Sequence, residues 1–182
     1  LGWSFDDKQE IFSVDELTKV FTLNALSKSN ANFDEDKLLH LNSHYMKSLS
    51  LKTISDRVKS FLSPADLSAA EANGDEWFQS IVDPERERCA LLSDFPRALQ
   101  YYFEAPAGYE EKAAKKFLLK DSVPEQLLET ADAIEKLGEV TQEIFEQTVN
   151  ELAEKRNVGF GKIAQPVRIA ITGRSASPGL AV

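Results

Sequence analysis

Two histidines have the residue type and the spacing that a metal site would need. His40 and His44 stand four residues apart, which would place both imidazoles on one face of a helix. The residues between them are Leu-Asn-Ser, so the general base of a zinc-protease motif is missing, and the chain contains no further histidine. We therefore expect packed or exposed histidines and no metal site. A small metal-dependent hydrolase is the weakest function hypothesis for this chain.

The segment from Gly159 to Lys162 has part of the pattern of a phosphate-binding loop. That motif needs a glycine five residues before its Gly-Lys pair, and a Ser or Thr after the lysine to hold magnesium. Arg156 and Ile163 stand at those two positions. Both requirements fail, and no other catalytic motif is recognisable in the chain.

Positive charge is concentrated at the C-terminal end. Residues 155–182 contain five of the 21 Lys and Arg residues and no acid, so residues 1–154 carry a net charge of −14 and the tail +5. The net charge of −9 argues against indiscriminate nucleic-acid binding, because long-range repulsion from phosphate would dominate. A cationic end on an acidic body is typical of a protein that binds one polyanion at one place.

The composition is that of a globular protein, with 42% hydrophobic and 28% charged residues. The single cysteine, Cys89, has no partner for an internal disulfide, which indicates a reducing compartment. No apolar run approaches the ~20 residues of a membrane span, and no leader sequence opens the chain. We predict a soluble cytoplasmic monomer without a membrane partner.

The hydrophobic pattern is helical almost throughout, with clear start and stop signals. Ser13 to Glu16 has the spacing of a capping box, Ser50 is a predicted N-cap, and Asn73-Gly74 is a turn signal. Predicted helices follow at 14–21, 34–49, 51–62, 65–72, 75–82, 84–92, 96–103, 110–119, 124–137 and 141–156. Pro106 to Gly108 is the clearest break, and we predict a domain boundary there.

The last apolar segment, Val167–Thr172, is β-branched, and its propensity alone would fit a strand. A single strand would have no partner in this chain, so we predict a short helix opened by Pro166.

Three segments of the chain carry specific motifs. The first comprises Leu1-Gly2-Trp3-Ser4, Ile11-Phe12-Ser13, Glu16-Leu17, Phe33-Asp34, Lys37-Leu38, Leu41-Asn42 and Tyr45. The second comprises Glu87-Arg88, Leu91-Leu92 and Phe95-Pro96. The third and most specific is Gly161–Gly173 (Gly-Lys-Ile-Ala-Gln-Pro-Val-Arg-Ile-Ala-Ile-Thr-Gly), followed by Ser177-Pro178-Gly179-Leu180. In their order and spacing, these three segments together resemble the C-terminal half of bacterial-type glutamyl-tRNA synthetases.

The resemblance implies an all-α fold: a helical anticodon-binding bundle of the α-helix cage type, preceded by the end of a helical stem-contact region. Residues 1–48 would belong to the stem-contact region, 49–107 to a first anticodon-binding unit and 108–182 to a second, truncated one. The ATP-binding signatures of the family are absent, so we expect an inactive fragment that binds no cofactor. ATP and magnesium would belong to the N-terminal catalytic domain of the parent ligase, and tRNA(Glu) would be the partner.

The resemblance also implies roles for individual residues. Arg88 matches the arginine that faces the third anticodon base, and Arg168 matches the residue that contacts the first. Ser177 and Pro178 match a pair that touches the middle uracil, and Leu180 would stack nearby. Weaker candidates for contacts with the tRNA backbone are Lys37, Asn42, Tyr45, Lys162 and Arg174.

Several alternatives remain open from the residues alone. Arg88 could instead pair with Glu85 or Asp94, in which case Arg86 is the next candidate. The aromatic residues 101–103 could stack on bases, although a buried cluster is the simpler interpretation. The whole chain could be a helical protein-interaction module without an RNA partner. One arginine also leaves open whether the parent charges glutamine tRNA.

Overall fold

The structure is a computed structural model, and it describes residues 2–6, 9–28, 30, 33–138 and 140–180. These residues contain ten α-helices and no strand, so the predicted all-α fold class is confirmed. Leu1, which belongs to the first family-like segment, lies outside the described residues. The helices are α1 Val14–Val20, α2 Glu35–Ser48, α3 Leu51–Lys59, α4 Pro64–Asn73, α5 Asp75–Glu85, α6 Phe95–Phe103, α7 Glu111–Phe117, α8 Val123–Glu135, α9 Gln142–Lys155 and α10 Phe160–Thr172.

The chain divides into two compact units, Leu1–Ser48 and Leu49–Val182. In the first unit the predicted capping box starts α1: Oγ of Ser13 accepts from the Glu16 amide at 3.2 Å, and Oε2 of Glu16 accepts from the Ser13 amide at 2.8 Å. These two bonds satisfy donors that the first turn of a helix leaves unpaired. Trp3 packs its ring against Phe12 and Phe21 in the same unit.

In the first part of the second unit, α5 packs against α3, α4 and α6. Ser50 caps α3 as predicted, with its Oγ accepting from the Thr53 amide at 3.1 Å. Completely buried side chains from three of these helices form the core: Ile54, Phe78 and Leu99. Burial of large apolar side chains is the main stabilising contribution to such a bundle.

The prediction of a helix from Pro84 to Leu92 was wrong. Pro84 lies inside the last turn of α5, which ends at Glu85, and residues 86–88 form a turn that is followed by a bend at residues 90–91. The amides of Arg88 and Cys89, three and four residues further on, share the carbonyl of Glu85 as acceptor, and the helix ends at this residue. A proline is tolerated this close to a helix end because few hydrogen bonds follow it.

In the remaining part of the second unit, α10 packs against α7, α8 and α9. The core here is formed by buried side chains of α9 and α10: Phe145, Val149, Ala153, Ile163, Ala164 and Val167. Residues 104–110 are not helical, as predicted from Pro106 to Gly108. The division of residues 49–182 at this point into two anticodon-binding units stays a prediction.

Residues 167–172 are helical, as predicted, but Pro166 does not open the helix. It lies in the middle of α10, which begins at Phe160. A proline has no amide proton, so the carbonyl of Lys162, four residues earlier, loses its helical donor. The side-chain amide of Gln126 in α8 donates to that carbonyl instead, at 2.8 Å. This compensation from another helix allows α10 to run through the proline.

Among the helices of the described residues, none combines the length and the apolar character that crossing a membrane requires.

Candidate nucleic-acid interface

Arg88 lies in the turn after α5, and its side chain extends to the segment that follows α10. Nη2 of Arg88 donates to the backbone carbonyl of Ser177 at 2.9 Å. The pairing with Glu85 or Asp94 considered above is absent from the described contacts, although Glu85 is close enough to interact electrostatically with Arg88. Arg86 is engaged elsewhere, because its Nε lies 3.1 Å from Oδ1 of Asp83. Of these two arginines, Arg88 is therefore the one that faces the segment after α10.

Arg168, on α10, contacts the same segment. Its Nη1 donates to the Ser177 carbonyl at 2.7 Å, to Oγ of Ser177 at 2.5 Å and to the Pro178 carbonyl at 2.8 Å. Burial and the nearby charge of Arg88 lower the pKa of Arg168. Two like-charged guanidinium groups are thus held together because they share the Ser177 carbonyl as an acceptor.

The segment 173–180, which we call the C-terminal segment, is also attached to the loop before α7. The Glu110 amide donates to the Gly173 carbonyl at 2.8 Å. Oε2 of Glu110 accepts from the amide of Ser175 at 3.0 Å and from its hydroxyl at 2.8 Å. These bonds lower the pKa of Glu110. The backbone around Ser177 is therefore fixed by side chains from three separate parts of the second unit.

A polar cluster lies beside Arg88. Glu85 is only 3% exposed, and its Oε1 accepts from the phenol of Tyr101 at 2.8 Å. Burial raises the pKa of Glu85, against the opposing effects of Tyr101, Arg88 and Arg174. The guanidinium of Arg174 lies 5.8 Å from the ring centre of Tyr101, and its Nη2 donates to the Arg97 carbonyl at 2.5 Å. Burial also raises the pKa of the nearby Cys89 thiol, to about 12, so this cysteine is not an activated nucleophile.

The structure brings together four of the five residues predicted to contact the anticodon: Arg88, Arg168, Ser177 and Pro178. The fifth, Leu180, is half-buried and packs against the core of α9 and α10. Ser177 is buried, and its hydroxyl oxygen accepts from Arg168. The roles assigned to these residues at individual bases stay predictions.

The weaker candidates are divided between the two units. In the first unit, Nζ of Lys37 pairs with Oε1 of Glu10 at 2.6 Å, the Tyr45 phenol donates to the Phe12 carbonyl at 2.6 Å, and Asn42 is half-buried. In the second unit, Lys162 is exposed in the first turn of α10, and Arg174 lies over Tyr101 as described. Their predicted contacts with the tRNA backbone are not tested by these positions.

Two of the five cations of the tail form ion pairs within the protein. Nζ of Lys155 lies 2.5 Å from Oε1 of Glu129, and Nε of Arg156 lies 2.6 Å from Oε2 of the same carboxylate. Hydrogen bonds from these two cations lower the pKa of Glu129. Fewer cations of the tail are therefore available to a polyanion than the sequence suggested. Two of the remaining ones, Arg168 and Arg174, lie close to Arg88.

His40 and His44, the two histidines with metal-ligand spacing, are both exposed on α2. His44 packs its ring edge against Tyr45 at 5.6 Å between ring centres. In the described part of the chain, no cluster of three or more His, Cys, Asp or Glu side chains could hold a metal ion.

Sequence reasoning missed Arg97 and the Glu85–Tyr101 pair. Arg97 directly follows Phe95-Pro96, which belongs to one of the family-like segments, so the resemblance points to its neighbourhood but not to the arginine itself. A glutamate and a tyrosine sixteen residues apart on separate helices leave no periodic signal. Their pairing follows only from the packing of α5 against α6.

Comparison with known proteins identifies the family. A family model described as an anticodon binding domain matches residues 53–182. The chain belongs to the anticodon binding domain family. The match includes all of α4 to α10 and the C-terminal segment, so the Arg88–Ser177–Arg168 contact lies within it.

The relatives of this anticodon binding domain include a glutamate–tRNA ligase from Thermodesulfovibrio yellowstonii, which is 36% identical over 99% of this chain and 38% of the relative. Glutamate–tRNA ligase 1 from Syntrophus aciditrophicus is 39% identical over 99% of this chain and 37% of the relative. The chain thus spans less than two fifths of the length of these relatives.

Solved structures give the same result. The crystal structure of a glutamate–tRNA ligase from Elizabethkingia meningosepticum, in complex with its amino acid, matches with a TM-score of 0.82 and 31% identity, over 100% of this chain and 35% of that one. Glutamate–tRNA synthetase from Elizabethkingia anophelis matches with a TM-score of 0.79 and 32% identity, over 100% of this chain and 34% of that one.

Proposed function

We propose that this chain binds the anticodon loop of tRNA(Glu) as part of a glutamate–tRNA ligase. Membership of the anticodon binding domain family and the names of the relatives support this function. The observation that carries the proposal is the meeting of Arg88 and Arg168 at the Ser177 carbonyl. Paired guanidinium groups at a surface suit a polyanion that also presents hydrogen-bond acceptors.

Arg88 would discriminate between bases through hydrogen-bond polarity. Unpaired cytosine offers two acceptors on its pairing edge, whereas guanine offers two donors there. An arginine has five N–H donors and no acceptor, and the Ser177 carbonyl takes only one donor of Arg88. Cytosine can therefore be bound, while guanine would leave donors facing donors at a cost of about 1–3 kcal/mol when buried.

Arg168 has a different part in the proposal, because its Nη1 contacts three acceptors in the C-terminal segment. It would present the backbone of Ser177 and Pro178 in a fixed position beside the anticodon. Direct contact with the first anticodon base would use its remaining N–H groups. Both tasks follow from one side chain because a guanidinium donates in a rigid fork.

The remaining parts of the proposal concern the larger protein. The parent would attach glutamate to tRNA, with ATP and magnesium bound in a catalytic domain outside this chain, and a tRNA partner implies a cytoplasmic location. The first unit contains a groove of about 600 Å³ lined by apolar side chains such as Trp3 and Phe12 and by charged ones such as Lys37. Light scattering of the purified chain would test the predicted monomer.

The experiment is a binding titration with RNA hairpins that carry a glutamate anticodon ending in C, or the same loop ending in G. We expect the C hairpin to bind more tightly. Arg88→Gln should reduce the difference in binding free energy between the two hairpins, by up to about 3 kcal/mol. Arg86→Gln should leave the preference unchanged, since Arg86 pairs with Asp83. An unchanged preference in Arg88→Gln would remove Arg88 from the role.

A salt series separates this function from a protein-interaction module. RNA binding should weaken steeply as ionic strength rises, because each neutralised phosphate releases counterions. Failure of the chain to bind either hairpin at low salt would overturn the proposed function.

A further inference from the structure

Two clefts adjoin the C-terminal segment, and the same three side chains line both. The first, of about 320 Å³, lies between the end of α5, the start of α6 and the C-terminal segment. The second, of about 310 Å³, lies between α6, the loop before α7 and the C-terminal segment. The shared residues are Arg97, Tyr101 and Arg174. Of the residues predicted from the sequence to contact the anticodon, only Arg88 lines a cleft, while Arg174, predicted as a weaker contact with the tRNA backbone, lines both.

Arg97 and Arg174 form a pair of cations at the junction of the clefts. Arg174 donates from Nη2 to the Arg97 carbonyl and lies over the Tyr101 ring, so its guanidinium is held beside α6. The side chain of Arg97 is exposed. Within the residues that the structure describes, neither guanidinium pairs with a carboxylate, unlike those of Arg86 and Arg156.

The carboxylates around the clefts already accept hydrogen bonds from the protein. Glu85 accepts from Tyr101, and Asp94 accepts from the amides of Ala90 at 3.1 Å and Leu91 at 2.8 Å. Glu110 accepts twice from Ser175. These acids therefore have internal partners, and Arg97 and Arg174 act on Glu110 electrostatically, without an ion pair among the described residues. The Arg97 side chain is exposed and that of Arg174 is half-buried. A surface that presents charged N–H donors suits the binding of an anion.

The Tyr101 ring does not offer a simple stacking platform. Arg174 covers it, its hydroxyl donates to Glu85, and its ring centre lies 4.2 Å from that of Tyr102. A splayed-out base would have to displace one of these contacts. A phosphate group would need only the donors that Arg97 and Arg174 present.

We infer that Arg97 and Arg174 bind a backbone phosphodiester of the single-stranded anticodon loop. The base that faces Arg88 lies in the same loop. This inference rests on the proposed function and adds a site to it. Arg88 and Arg174 both line the first cleft, so a strand that enters the cleft meets a base-reading arginine and a phosphate-binding pair together. Such a contact fixes the register of the strand and carries no sequence information.

The test uses the whole chain and the hairpins described above. Arg97→Gln should weaken the C and G hairpins equally, by about tenfold, because a hydrogen bond to a charged group is lost from both. It should also make the plot of log affinity against log salt concentration less steep, by about the contribution of one neutralised phosphate. Arg97→Lys should keep the slope because it keeps the charge. Lys136→Gln, which removes an exposed cation that lines neither cleft, is the control and should change both quantities little.

A chemical change in the RNA identifies the contact. Each loop phosphate is replaced in turn by an uncharged methylphosphonate. One replacement should weaken binding to the wild-type chain and have no further effect on Arg97→Gln, which shows that both changes remove the same interaction.

The outcomes are distinct for the two proposals. If the wild-type chain binds neither hairpin, the proposed function fails and the phosphate site fails with it. If wild type binds but Arg97→Gln has the same affinity and the same salt slope, only the phosphate site is overturned. Loss of inorganic phosphate binding in Arg97→Gln, with unchanged RNA binding, would indicate a site for a free anion and would also overturn it.

Discussion

Gly173 lies so close to Gly108 that a Cβ on Gly173 would stand 2.6 Å from the Gly108 carbonyl oxygen. Its backbone is also left-handed, with φ of 73°. Both conditions exclude a side chain, and they act at the point where α10 ends and the C-terminal segment begins. The contact sets the direction in which the chain leaves α10 towards Arg88.

Gly173→Ala should therefore destabilise the protein by more than the about 1–2 kcal/mol that a left-handed alanine costs by itself. Gly161→Ala is the matched control, because that glycine lies in α10 and a Cβ there would have no neighbouring atom within 4 Å. It should leave stability unchanged or raise it by up to about 1 kcal/mol. Urea unfolding followed by circular dichroism measures both. Equal effects of the two substitutions would contradict the close approach to Gly108.

The bond from Gln126 to the Lys162 carbonyl should matter only because Pro166 cannot donate to that carbonyl. Gln126→Leu should cost about 0.5–1.5 kcal/mol, since it removes a hydrogen bond to a partly buried acceptor. In a Pro166→Ala background the alanine amide can donate to Lys162, so the same substitution should cost less. A double-mutant cycle on the unfolding free energies gives the coupling. Strict additivity would show that Gln126 contributes only by packing.

The buried carboxyl of Glu85 should make stability depend on pH in an unusual direction. Its pKa is raised by burial, so the folded protein binds this proton more tightly than the unfolded chain does. Its favourable contribution is complete below the ordinary carboxyl pKa and is lost as the pH rises through the raised value. Glu85→Gln stays neutral and can still accept from Tyr101. The stability of wild type relative to this variant should thus fall as the pH rises above the ordinary carboxyl pKa and through the raised one.

Carboxylates with lowered pKa values, such as Glu16 and Glu129, also make stability depend on pH. Their contributions cancel in this comparison because both proteins contain them. Glu76→Gln, at an exposed position in the first turn of α5, is the control and should show no such trend. A difference between wild type and Glu85→Gln that stays flat with pH would argue against a destabilising charge at this position.

Glu110 should hold the start of the C-terminal segment through its two bonds to Ser175. Glu110→Ala should increase the hydrogen-exchange rate of the Ser175 amide and cost about 0.5–1.5 kcal/mol per bond lost. Since the pKa of Glu110 is lowered, its contribution is present above the ordinary carboxyl pKa and is lost as the pH falls through the lowered value. Glu111→Ala, whose carboxylate pairs with Lys115 instead, should leave that amide protected.

The sequence by itself predicted most of the helices, because their signals are local. Ser13 and Ser50 mark helix starts through bonds that span three residues, and a period of 3.6 is visible in any short window. It also located the family-like segments around Arg88 and Arg168. The two errors, at Pro84 and Pro166, both came from treating a proline as a helix start where packing or a distant partner allows it inside a helix.

Only the tertiary structure decided which charges meet. Arg88 and Arg168 come together because α5, α6 and α10 bring their ends to one C-terminal segment, and the bond between Gln126 and Lys162 depends on α8 lying beside α10. The hydrogen bond from Arg174 to the Arg97 carbonyl and the ion pair of Lys155 with Glu129 have the same origin. Contacts of this kind join residues far apart in the chain, so no local pattern encodes them. They are fixed by how apolar helix faces pack.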